Sequence, residues 1–87
     1  MPYQIRLHRS AEKFLASLTP ETRSRARKAI DALATEPRPR GCLKLKGSDV
    51  SWRIRIGKFR VIYDVLENEL LIWVFKVDRR GESTYDR

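Results

Sequence analysis

The 87-residue sequence is short of the residues that most enzymes use to hold a metal or a redox centre. It has one cysteine and one histidine, against 19 lysines and arginines. Cys42 alone cannot close an internal disulfide, which fits a reducing compartment. Cys42 and His8 are too few for a conventional zinc site, so no metal and no cofactor is expected. No apolar run approaches the roughly 20 residues that cross a bilayer, so no membrane role is expected. The first ten residues place Arg6, His8 and Arg9 among alternating apolar positions, unlike a signal peptide, and the expected location is cytoplasmic. There is no repeat, low-complexity tract or flexible linker. The length points to a single domain over residues 1–87 with one modest core.

Acidic residues are also scarce. Eleven aspartates and glutamates leave a net charge of +8. The excess is concentrated in residues 38–60, which hold eight lysines and arginines with Asp49 as the lone acid. Residues 61–75 are acidic, with Asp64, Glu67 and Glu69 and no base. A concentrated positive field attracts polyanions and raises encounter rates with nucleic acid.

Hydrophobic spacing divides the chain. Tyr3, Ile5 and Leu7 alternate with polar residues, the period of a strand. Ser10 offers a helix N-cap, followed by Ala11, Phe14, Leu15 and Leu18 at helical spacing. Thr19-Pro20-Glu21 starts a second helix, with Ala26, Ala29, Ile30 and Leu33 on its apolar stripe. That helix should stop before Pro37, and Arg23, Arg25, Arg27 and Lys28 fall on its solvated side. After Gly41 the pattern has period two: Leu43 to Lys46, Ser51 to Ile56, Phe59 to Val65, and the nearly unbroken apolar run Leu70 to Val77. Gly57-Lys58 suits a two-residue type II′ hairpin turn. The expected fold class is α+β, ordered β-α-α-β-β-β-β. Its antiparallel-dominated sheet carries the helical hairpin on one face. His8 is expected as a surface residue of the first strand.

With Gly57 and Lys58 as the turn, Ile56 faces Phe59 and Arg55 faces Arg60. Trp52, Ile54, Ile56, Phe59, Val61 and Tyr63 then form the core side. Arg53, Arg55 and Arg60 share the free side. Like charges facing each other across strands are destabilising, and a phosphate between them is the simplest reason to tolerate that cost. If residues 67–69 form the next turn, Lys76 faces Arg60. A one-residue slip there would flip the face. Lys44 and Lys46 could frame the same surface.

Three stretches, in this order after a helical hairpin, resemble the RelE/ParE toxins of bacterial type II toxin–antitoxin pairs. They are Lys44-Leu45-Lys46-Gly47, then Trp52 through Tyr63, and then Val77-Asp78-Arg79-Arg80 with Tyr85. The resemblance covers nearly the whole chain and implies the RelE-like fold. For RelE-like members it also implies an endoribonuclease (mRNA interferase) that cuts mRNA in the ribosomal A site, with no metal. In that reaction a ribose 2′-OH attacks the adjacent phosphate, leaving a 2′,3′-cyclic phosphate and a 5′-OH end, and translation is inhibited.

The resemblance assigns catalytic roles to Arg53, Arg55, Arg60, Arg80 and Tyr85. Arg60 and Arg80 hold the phosphate, and Arg53 and Arg55 set the field around the 2′-OH. Tyr85 stacks on a base or accepts the proton. Lys44, Lys46, Lys58, Lys76 and Arg79 are expected to bind RNA or ribosome. The implied partners are a cognate acidic antitoxin covering the arginine face or displacing Tyr85, the mRNA, and the ribosome with its rRNA. Operator DNA is reached only through the antitoxin complex. Three departures stand out. Arg53 and Arg55 replace the family's frequent lysines, which removes lysine as a base. Asp78 stands where a small residue is common. The segment from Val77 to Tyr85 is one residue shorter than in a close RelE, which leaves Arg79 as the alternative to Arg80. Two rival functions stand beside it: a ParE-like gyrase poison, which shares the fold and cuts nothing but generally lacks the basic triad with a terminal Arg and Tyr, and a plain RNA- or ribosome-binding module, which needs the basic sheet but not Tyr85.

Overall fold

The computed structural model describes residues 2–79. The elements are β1 (Gln4–Leu7), α1 (Arg9–Ala16), α2 (Pro20–Ala32), β2 (Leu43–Lys44), β3 (Ser51–Ile56), β4 (Phe59–Leu66), a 3₁₀ turn (Glu67–Glu69) and β5 (Leu71–Arg79). The five strands form one sheet in the order β1-β5-β4-β3-β2. β1 joins β5 in parallel, and the other neighbours are antiparallel. The expected element order holds.

The helices follow from local chemistry, with one correction. Thr19 accepts a hydrogen bond from the Thr22 backbone N–H at 3.4 Å and Pro20 opens α2, as its sequence implies. For α1 the cap is His8 and not Ser10. His8 has extended backbone angles, and its Nδ1 accepts from the Ser10 backbone N–H at 3.0 Å. Its ring also meets Trp73 edge-on at 5.8 Å. His8 is therefore a cap at the end of β1, not a residue within a surface strand. The two helices are tied by Arg23 on α2, which donates to the Leu15 carbonyl at 3.2 Å and the Leu18 carbonyl at 3.0 Å. The Leu15 carbonyl also accepts from the Leu18 backbone N–H at 3.1 Å, so Arg23 adds a side-chain donor to the turn between the helices.

Both helices cover the same side of the sheet, α1 against β5 and α2 against β3. Ala11, Leu15, Leu18, Ala26, Ile30 and Leu33 meet Ile54, Val61, Tyr63, Val65, Ile72, Val74 and Val77 in one core. Full burial of a side chain such as Ile30 or Val61 stabilises by about 1.5–3 kcal/mol. Trp52, Ile56 and Phe59 pack at its margin, so the face expected to be core is the core.

Two strand expectations change. The run Leu43–Lys46 narrows to a two-residue strand. Lys46 and Gly47 turn instead, with Gly47 at φ 80°. The Ser48 hydroxyl accepts from the Val50 and Ser51 N–H groups at 3.2 and 3.1 Å, local bonds that compete with a longer ladder. The apolar run ending at Val77 is a central strand as expected, but its residues alternate between buried and half-buried up to Phe75.

Tyr63 is fully buried and donates to the Pro37 carbonyl at 2.6 Å, which anchors the loop after α2 to the sheet. Desolvation raises its pKa well above the usual tyrosine range. A folded-state pKa above the unfolded value of about 10 means that this stabilisation is complete below that pH. It is lost as pH rises toward the folded value. Tyr63→Phe should cost roughly 1–3 kcal/mol near neutrality, because the Pro37 carbonyl loses its donor. It should also flatten the alkaline decline. Urea titrations of both proteins across the alkaline range check this. Parallel declines would remove Tyr63 as a contributor.

Candidate nucleic-acid interface

The β3–β4 hairpin creates the arginine face. Its register is Ile56 opposite Phe59, Arg55 opposite Arg60, Ile54 opposite Val61 and Arg53 opposite Ile62. Gly57 has φ 60°, whereas Lys58 does not have positive φ, which fits the expected type II′ turn. Val61 and Ile54 point into the core, so strand alternation leaves Arg53, Arg55 and Arg60 on the side away from the helices. Directly facing residues have Cβ atoms about 4.5–5.5 Å apart, which keeps Arg55 and Arg60 close.

The partner of Arg60 on β5 is where the expectation fails. A three-residue turn would place Lys76 there. The connection instead includes Leu70 in the left-handed region at φ 51°, and Leu66 pairs with Leu71. A bulge between Ile62 and Tyr63 then shifts the register again. Each irregularity alone would invert the side chains of β5 relative to β4, and the two together restore them. The result is Arg60 opposite Asp78 and Lys76 opposite Ile62.

Two cross-strand rows therefore make up the site. One contains Arg55, Arg60 and Asp78; the next contains Leu43, Arg53, Ile62 and Lys76. Arg60 donates through Nε to Asp78 Oδ1 at 3.1 Å, with side-chain exposures of only 11% and 22%. Lys76 Nζ lies 3.9 Å from Asp78 Oδ2 and is half-exposed. The two rows hold four cations and one carboxylate, which Arg60 and Lys76 flank, so they stay net positive. Sequence reasoning missed Asp78 as a member of the site. Its place two residues after Lys76 was visible, but its partner depended on the bulge.

The other expected binding residues are dispersed. Lys58 is exposed at the hairpin tip, where it lines an open cavity with Thr22 and Arg25 of α2. Lys44 pairs with Trp52, which puts it on the opposite side of the sheet from Arg53. Lys46 is exposed in a turn. Arg79 faces Phe59 in the register, with its guanidinium carbon 5.5 Å from that ring's centre, a cation–π contact on the helix side. Arg80 and Tyr85 lie outside the described residues. Charge changes along the sheet. Far from the hairpin tip, an open cavity of about 280 Å³ is lined by residues including Asp49, Glu67 and Glu69. No helix among the described residues is long and apolar enough to cross a membrane.

Comparison with known proteins agrees with this fold. Residues 5–84 match the family of the ParE toxin of type II toxin–antitoxin system, parDE. The RelE1 protein of Methanocaldococcus jannaschii is 38% identical over 88 residues, covering 98% of this chain and 97% of that protein. The archaeal RelE–RelB complex from Pyrococcus horikoshii OT3 contains a chain of the same fold. Its TM-score is 0.84 at 33% identity, over 95% of this chain and all of that one. The isolated RelE toxin of E. coli superposes with a TM-score of 0.80 at 22% identity, over 93% of this chain and 87% of that one, a likeness of fold. The chain belongs to the RelE/ParE superfamily of type II toxin–antitoxin toxins, on its RelE-like side.

The facing arginines give a stability test. Arg55→Thr removes one of two like charges and keeps a residue suited to strands, so it should stabilise the protein by about 0.2–1 kcal/mol at low salt. The gain should shrink near 1 M NaCl, where the Debye length is about 3 Å. Urea midpoints at both ionic strengths measure it. A substitution that destabilises equally at both would show that Arg55 contributes packing, not repulsion.

Proposed function

We propose that the chain is the toxin of a type II toxin–antitoxin pair and acts as a metal-independent, ribosome-dependent endoribonuclease on mRNA. The observation that carries this reading is the cluster of Arg53, Arg55, Arg60 and Lys76 on the sheet face opposite the helices. Attack of a 2′-OH on the adjacent phosphate builds negative charge on the phosphorane oxygens. Fixed guanidinium donors on a rigid sheet stabilise that charge with little reorganisation. Arg60, sheltered and centred in its row, is the strongest candidate to hold the scissile phosphate, with Arg80 as its proposed partner. Arg53 and Arg55 would steer the RNA backbone and bias the field at the 2′-OH. Arginine stays protonated, with a pKa above about 12, so it serves by charge and hydrogen bonding and not as a base. Tyr85 is proposed to stack on a nucleobase or to accept the proton. The latter role requires nearby cations to lower its pKa from about 10. Lys58, and more distantly Lys44, Lys46 and Arg79, would contact rRNA phosphates.

An antitoxin partner belongs to the same proposal. The Pyrococcus horikoshii relative is described in complex with RelB, and a basic face of this strength calls for an acidic covering segment. A cytoplasmic site of action follows from the ribosomal target. The second reading is a gyrase poison of the ParE kind, favoured by the family whose pattern residues 5–84 match.

Brief induction in bacteria, followed by mapping of RNA 5′ ends, separates the two. New 5′-OH ends within translated codons, in a fixed register with the reading frame, are expected from the wild type. They should be absent from the Arg80→Ala/Tyr85→Phe form. Growth arrest with no new ends would favour the gyrase reading. In a purified ribosome assay, Arg60→Ala should slow single-turnover cleavage by about 10²–10³-fold, the scale for loss of one preorganised oxyanion donor.

A further inference from the structure

We propose that Asp78 is an internal counter-anion of the arginine face, which orders Arg60 and Lys76 in the free protein and gives way to an RNA phosphate on binding. This rests on the nuclease and RNA-binding reading above and adds a residue that sets RNA affinity at that site.

The geometry points to exchange. Among the described residues, Asp78 is the single carboxylate in the two rows that hold Arg53, Arg55, Arg60 and Lys76. Its Oδ1 accepts from Arg60 Nε at 3.1 Å, and its Oδ2 lies 3.9 Å from Lys76 Nζ. A carboxylate presents two anionic oxygens in a plane, and a phosphate presents two in nearly the same arrangement. The guanidinium fork fits either. In the free protein the carboxylate offsets repulsion between Arg60 and Arg55 opposite it, which keeps the guanidinium ordered on an otherwise repulsive face. An incoming phosphate carries the same sign, so it repels Asp78 while competing for Arg60. Asp78 thus lowers RNA affinity as it positions Arg60, and binding depends on the balance between the two anions. A purely structural ion pair would stabilise the fold without this competition.

Binding of a fluorescent single-stranded RNA made uncleavable by 2′-O-methylation tests the proposal. The full chain, Asp78→Asn, Arg60→Ala, the double variant and Asp49→Asn are compared across a salt series. Asp49 lies near the acidic cavity away from the hairpin tip, so Asp49→Asn makes the same charge change outside the site. Asp78→Asn should bind about fivefold more tightly at low salt, and its log–log salt slope should steepen by about 0.7, the value for one more neutralised single-strand phosphate. Asp49→Asn should shift affinity by less than about twofold, because distant exposed charges are screened. The gain from Asp78→Asn should vanish in the Arg60→Ala background, because the competition runs through Arg60.

Equal or weaker binding by Asp78→Asn overturns the proposal, as does a gain that survives Arg60→Ala. If wild type binds no RNA at all, the reading of the sheet face as a direct RNA-binding surface falls, and this inference with it. If wild type binds and Asp78→Asn gains nothing, this inference alone falls. A readout on the unmodified protein covers the case in which the variants fail to fold. The Asp78 side-chain carboxyl ¹³C resonance should move as RNA saturates the wild type. A resonance that stays put shows that the Arg60–Asp78 pair survives binding and overturns the exchange.

Discussion

The alternation of the β3–β4 hairpin governs the rest of this molecule. Ile54, Val61 and Tyr63 must be buried beneath the helices, and a strand has only two sides. Once those residues face α1 and α2, Arg53, Arg55 and Arg60 have no alternative to the free side. The Gly57 turn pins which residues face each other. Core burial thus supplies the stability that holds like charges together, and the hydrophobic face and the basic face are consequences of one register. Slipping β3 by a single residue against β4 would turn Arg53 and Arg55 toward the core and expose Trp52, Ile54 and Ile56.

This coupling explains why much of the site is legible in the sequence. The hairpin turn, the arginine trio and the opposing core face all follow from period-two alternation around Gly57, and local sequence fixes such patterns strongly. Thr19-Pro20 announced α2 for the same reason: its cap is made by residues three apart. The failures have a common cause. Whether His8 or Ser10 caps α1 depends on where β1 releases the chain, which β5 decides by pairing with β1. Whether Asp78 or Lys76 faces Arg60 depends on Leu70 and a bulge at Ile62/Tyr63, and neither has a compositional signature. Leu70 in particular occupies a backbone region where glycine or asparagine would normally give the signal.

The resemblance to RelE-like toxins brought two residues, Arg80 and Tyr85, that no alternation argument could place. The described part of the chain supplies instead a rigid bed of positive charge, moderated by one carboxylate. On the proposed mechanism, this bed does the electrostatic part of the catalysis. Arginines in place of lysines fit such a division. They keep the charge at every working pH and bring planar donors suited to phosphate, at the cost of any role as a proton acceptor. The acidic end of the sheet around Glu67 and Glu69 makes the molecule electrically polar, which turns the hairpin end toward any polyanion.

The central claim is that RNA is engaged by the sheet face and not by the basic helix α2. Arginine Nε–Hε resonances, followed by ¹⁵N NMR while an uncleavable single-stranded RNA is added, test it directly. The account predicts that Arg53, Arg55 and Arg60 shift together and saturate at one RNA concentration, while Arg23, Arg25 and Arg27 stay in place. Saturating shifts on the α2 arginines, with the hairpin arginines unmoved, would contradict it.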